Sequence, residues 1–147
     1  MLMAPTETNL SRSSLFSGKM EVTMQSITVI ALGGALGALS RYGLGLWISG
    51  KWSQGFPLAT FIINVTGAFL LGFLNVLFIE KLTISPLWRL GIGIGFLGAY
   101  TTFSTFGYEV LMLLEGGSFL TAGLYTLLSV SIGFAGVALG IRLARLL

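Results

Sequence analysis

The chain has 147 residues, of which 54% are hydrophobic and 9% charged, with a mean hydropathy of +0.93. A soluble domain of that composition would have almost no wettable surface, so the chain reads as a membrane protein. A net charge of +3 is ordinary for that class and gives no ground for nucleic-acid binding, and without His, Cys or Asp there is no imidazole base, thiol nucleophile, soft-metal ligand set or Asp-based phosphoryl acceptor, so the chain reads as no enzyme.

Residues 1–25 are rich in Ser, Thr and Met and lack apolar periodicity, which predicts a disordered N-terminal extension; Met20 and Met24 stand as alternative starts. From there on, charge-free runs cover 22–40, 52–79, 90–108 and 116–141. Each is near or above the roughly 20 residues that cross a hydrocarbon core of about 30 Å as a helix. The prediction is a four-helix transmembrane domain over 26–147, with spans at about 26–49, 57–79, 89–113 and 118–142, located as a multi-pass protein in the cell (inner or plasma) membrane. The first run continues past Arg41 to Ile48, longer than the roughly 7–15 residues of a signal-peptide core, so it reads as a retained span.

On the first span Gly33, Gly37, Arg41 and Gly45 form a stripe at i+4 spacing, and Gly91/Gly95 and Gly136/Gly140 repeat the small-xxx-small interval of close helix packing. Arg41 therefore shares a packing face, either capping carbonyls near the interface or drawing anions into an aqueous vestibule. The second span places Thr60 and Asn64 on one face. Asn64 reads either as an interhelical hydrogen-bonding residue or as an N–H donor to an anion.

The third span holds the densest polar cluster, 98–106 (GAYTTFSTF), with five hydroxyl-bearing residues and two phenylalanines in an apolar run. Gly95, Gly98, Thr101 and Thr102 weaken helix propensity there, which predicts a break near 98–102 whose released carbonyls would suit a bound alkali cation. Phe103 and Phe106 read either as core packing or as ring edges approached by an anion. Tyr125 and Ser129, one turn apart on the fourth span, add two further hydroxyls.

Three segments, 33–42 (GGALGALSRY), 60–67 (TFIINVTG) and 98–106 followed by Glu109, are similar in order and spacing to the Fluc/CrcB fluoride channels, and the resemblance runs from about residue 26 onward. It implies a dimer of two four-helix subunits inserted in opposite orientations, the third helix of each broken near its centre, with two narrow pores that release fluoride passively from the cell. By position, Asn64, Phe103, Phe106, Ser104, Thr105, Tyr125, Ser129 and Thr60 would line the fluoride pathway and Arg41 would be the vestibule cation. Gly98 and Thr101 would give backbone carbonyls to a central structural Na⁺ that is not transported. The partners expected are fluoride, membrane lipid and a second subunit.

Three departures from the family pattern stand out. Ala99-Tyr100 replaces an expected second glycine and a smaller apolar residue, and Gly133 stands where a further hydroxyl is common. Arg12, Lys19, Lys81, Arg89, Arg142 and Arg145 fall on one side of a four-span topology and Lys51 alone on the other, a bias that predicts one orientation and admits an oppositely inserted paralogue as the partner. The rival reading is a small four-helix multidrug-type exporter, but its coupling needs an acid in the first span, where this chain has Arg41. A purely structural subunit would leave the hydroxyls of three spans unexplained.

Overall fold

The computed structural model describes residues 8–52, 55–82 and 84–147, with side chains from residue 23 onward. Among these residues there is no strand. Three helices are long and apolar enough to cross a membrane, over Thr23–Ser49, Leu58–Lys81 and Phe119–Leu146. The first belongs to α1 (Thr8–Ser49), the second joins α2 (Leu58–Val76) to a wide π segment, π1 (Leu77–Lys81), and the third is α6 (Phe119–Leu146). Of the expected extension over 1–25, residues 1–7 lie outside the described residues; α1 begins at Thr8, ahead of the expected start of the first span.

The region expected as the third span is not one helix. It runs through α3 (Pro86–Arg89), a second π segment, π2 (Leu90–Leu97), α4 (Gly98–Tyr100) and α5 (Phe103–Glu115). The sequence LGIGIGFL of π2 explains its width, because closely spaced glycines weaken the α-helix and permit the looser turn. Between α4 and α5 the backbone leaves helical geometry: Thr101 has φ −77° and ψ 155°, and Thr102 has φ −148° and ψ 108°. The α5–α6 turn closes as a Schellman motif. Gly117 takes φ 74° while the amides of Gly117 and Ser118 donate to Leu114 O and Leu113 O, at 3.0 and 2.8 Å.

Packing divides the chain into two helix pairs. α1 lies along π2 and α4, while α2 lies along α6. Glycine sets both crossings: a Cβ on Gly37 would strike Phe96 O, and one on Gly140 would strike Phe69 O. Backbone therefore meets backbone, as the small-residue intervals predicted. The molecule has little interior of its own. Leu32, Leu36, Leu39, Leu127 and Phe134 all face outward, which suits hydrocarbon and would not suit water.

These contacts predict opposite outcomes for two glycines of the same helix. Gly37→Val forces α1 away from π2 and should lower stability by about 1–3 kcal/mol, the usual cost of overpacking. Gly43→Ala, where a Cβ meets nothing within 4 Å, should leave the melting temperature unchanged or slightly raised. Thermal melting of the two variants in detergent separates the cases.

Candidate functional site

The break is held from α2 by an amide side chain. Asn64 Oδ1 accepts from the Thr102 N–H at 2.8 Å, and Asn64 Nδ2 donates to Thr102 O at 3.1 Å, a two-point clamp on one residue's backbone. A primary amide presents donor and acceptor side by side, as this clamp requires, without any change of charge. One face of the Asn64 question is thus answered: it bonds across helices, and its partner is main chain.

Thr102, itself buried, caps the helix that follows. Its Oγ1 accepts from the Thr105 N–H at 3.3 Å and lies 2.8 Å from Thr105 Oγ1 and 3.4 Å from Ser104 Oγ. These bonds divert two amides from their helical partners. In an unbroken helix the Thr102 N–H would donate to Gly98 O and the Thr105 N–H to Thr101 O; here they go to Asn64 and to the Thr102 hydroxyl. The carbonyls of Gly98 and Thr101 are thereby among those the break releases.

A cleft of about 700 Å³ opens beside the break, and its wall includes Asn64, Gly98, Thr101, Phe103, Phe106 and Ser129. Phe103 is 83% exposed at its mouth, and its ring centroid is 5.8 Å from that of Phe106. The Ser129 hydroxyl is buried and has no hydrogen-bond partner, although membrane serines ordinarily bond back to their own helix. A buried donor left unmet is costly unless something else meets it.

Thr60 and Tyr125 gather elsewhere. Thr60 Oγ1 donates to Glu109 Oε1 at 2.8 Å and Tyr125 Oη donates to Glu109 Oε2 at 2.7 Å, so both hydroxyls are directed at a carboxylate inside the bundle. Tyr125 is fully buried, and its ring packs at 5.1 Å against Phe106, which separates this cluster from the cleft. Ser104 and Thr105 sit exposed on the first turn of α5, and half-buried Arg41 on α1 has no ion-pair partner among the described residues. The ion pair that is present joins Arg145 to Glu80 at 3.2 Å, near one end of the molecule.

Sequence reasoning left Glu109 without a role, although an acid within an apolar run is itself a signal. Its two partners lie 49 and 16 residues away, beyond any local pattern.

A family profile described as CrcB-like protein, Camphor Resistance (CrcB) matches residues 28–141. The chain belongs to this family. It is 45% identical over 122 residues to a fluoride-specific ion channel FluC of Roseiflexus sp. (strain RS-1), covering 83% of this chain and 98% of that one. It is 50% identical over 111 residues to the protein of the same name from Acidobacterium capsulatum, covering 76% and 89%. With the counterpart from Sulfurihydrogenibium sp. (strain YO3AOP1) the identity is 41% over 124 residues, covering 84% and 100%. Family membership and the three crossing-length helices together make this a multi-pass membrane protein.

The Glu109 cluster carries its own test. Glu109→Leu should destabilise the protein by roughly 1–3 kcal/mol, because it strands the hydroxyls of Thr60 and Tyr125. Glu109→Gln keeps an acceptor and should cost clearly less, so the order of the two melting temperatures reads the cluster directly.

Proposed function

We propose that this chain is a subunit of a fluoride-selective channel, a transport protein and not an enzyme, through which fluoride leaves the cell passively. The name shared by its relatives supplies the ion. The observation on this chain that carries the reading is the unmet Ser129 hydroxyl, in a cleft wall shared with Phe106 and Asn64.

Fluoride is small and tightly hydrated, so its pathway must replace water with O–H, N–H and aromatic C–H donors while staying narrow. Ser129 offers an uncommitted O–H. Asn64 retains the amide hydrogen that Thr102 does not use, and the rims of Phe103 and Phe106 present the positive edge of the ring quadrupole. Ser104 and Thr105 continue the polar line on α5. Thr60 and Tyr125 belong to the level behind Phe106, where each hydroxyl would have to turn its one proton away from Glu109 to serve an ion. Arg41 supplies the positive charge of the vestibule.

A second, oppositely inserted subunit would close the open side of the cleft, where exposed Phe103 otherwise has no protein neighbour to cover it. Two such subunits would give two pores. Lys81, Arg89, Arg142 and Arg145 against Lys51 argue that each chain inserts one way, so the partner is either a copy that overcomes this bias or a paralogue with the opposite bias.

The released carbonyls of Gly98 and Thr101 suit a central structural Na⁺, since neutral oxygen donors fit a hard monovalent cation and no cluster of acids able to hold a metal occurs among the described residues. Bound there, the ion would supply a fixed positive charge at the break. The chain's own part is the clamp from Asn64 and the cap from Thr102, which keep those two carbonyls out of helical bonding.

In liposomes loaded with fluoride the purified protein should release it rapidly and release chloride far more slowly; equal rates would end the proposal. Ser129→Ala should slow fluoride efflux by about fivefold, the effect of one lost hydrogen bond of roughly 1 kcal/mol, while leaving the melting temperature unchanged because that hydroxyl bonds nothing in the fold. Phe106→Ile should also slow efflux in a protein that remains assembled, and full-rate flux after removal of Na⁺ would exclude the cation.

A further inference from the structure

We infer that Tyr100 is a positioning residue for the break: its hydroxyl bond to Thr66 holds the carbonyl-bearing side, Gly98–Thr101, on α2, as Asn64 holds the Thr102 side. The inference rests on the reading that those carbonyls face a monovalent cation.

The direction of the bond follows from counting protons. Thr66 Oγ1 lies 2.7 Å from Ile62 O, 3.1 Å from Ile63 O and 2.9 Å from Tyr100 Oη. A hydroxyl has one hydrogen, and carbonyls only accept, so the Thr66 proton serves its own helix and Tyr100 must be the donor. The tether therefore runs one way. The phenol has no competing acceptor among the hydrogen bonds described, and Thr66 keeps its lone pairs aimed at it because its proton is fixed a turn back.

The surroundings make Tyr100 a fitted residue. It is 7% exposed, its ring lies parallel to Phe96 within 7° at a centroid distance of 5.9 Å, and a Cβ on Gly67 would strike Thr101 Cγ2 and stand 3.2 Å from Tyr100 Cδ1. One turn of α2, carrying Asn64, Thr66 and Gly67, thus seats the three consecutive residues Tyr100, Thr101 and Thr102. Stacking on Phe96 alone would let the ring slide in its plane. The hydroxyl bond fixes its position along α2, and with it the carbonyls on either side of Tyr100. A side chain without a hydroxyl at this place could not make that bond, so the tether depends on a tyrosine here.

The test uses the full chain, reconstituted in liposomes, with fluoride efflux measured against Na⁺ concentration for the unmodified protein, Tyr100→Phe, Thr66→Val and the double variant. Losing one hydrogen bond should raise the Na⁺ concentration for half-maximal efflux by about fivefold in each single variant, with efflux at saturating Na⁺ close to the unmodified rate. The double variant should match either single one, since both remove the same bond. A half-maximal concentration within about twofold of the unmodified protein, or effects that multiply in the double variant, would overturn the positioning role. Failure of both single variants to assemble would overturn it as well, because the bond would then be structural. If the unmodified protein releases no fluoride, the channel reading falls on its own. The tether is then read from the rise in melting temperature with added Na⁺ in detergent, where Tyr100→Phe should need more Na⁺ for the same rise; no response to Na⁺ in the unmodified protein would also count against it.

Discussion

A backbone that leaves helical geometry inside an apolar bundle must find new partners for the N–H and C=O groups it releases, because neither lipid nor hydrocarbon side chains can supply them. At Thr101 and Thr102 that requirement shapes the molecule. Asn64 serves both groups of Thr102, the Thr102 hydroxyl starts α5, and the carbonyls of Gly98 and Thr101 lose the donors an unbroken helix would give them. The position of Phe103 and Phe106, and therefore the wall of the cleft, follows from where the break begins and ends.

Holding such a break requires α2 to stay in register with the third span, where Gly67 lets Tyr100 and Thr101 approach, and glycine crossings brace each of the two elements from its far side. α1 meets π2 backbone to backbone, and α2 meets α6 in the same way. Contacts of this kind leave no long side chain to rearrange, whereas Phe103 projects freely from the bundle. The wide turns of π2 belong to the same arrangement. Glycines that allow close approach also allow the looser helix, so one compositional choice has two structural effects.

Much of this was legible in the sequence, and the parts that were not have a common cause. Hydropathy locates α2 and α6 within a few residues. The hydroxyl run and flanking glycines pointed to irregular backbone near 98–102, and the structure has extended residues at Thr101 and Thr102. Periodicity reports which face a residue occupies and is silent on which neighbour it will meet. Asn64 reads as an interhelical bonding residue or an anion donor, but its main-chain partner is 38 residues away; the Thr66–Tyr100 pair spans 34, beyond any local pattern. Glu109 illustrates the converse. An acid stands out in an apolar run, but its surroundings depend on Thr60 and Tyr125, which the family resemblance places on the pathway and whose hydroxyls donate to it.

The wall around Phe106 and Ser129 contains no ionisable side chain. Dipoles and ring edges attract a small halide much less strongly than a guanidinium or an ammonium would, so each stop along such a wall is a shallow energy well. On the pathway proposed here, residence at any one stop would be brief, and throughput would be governed by how quickly water is shed and regained at the mouths.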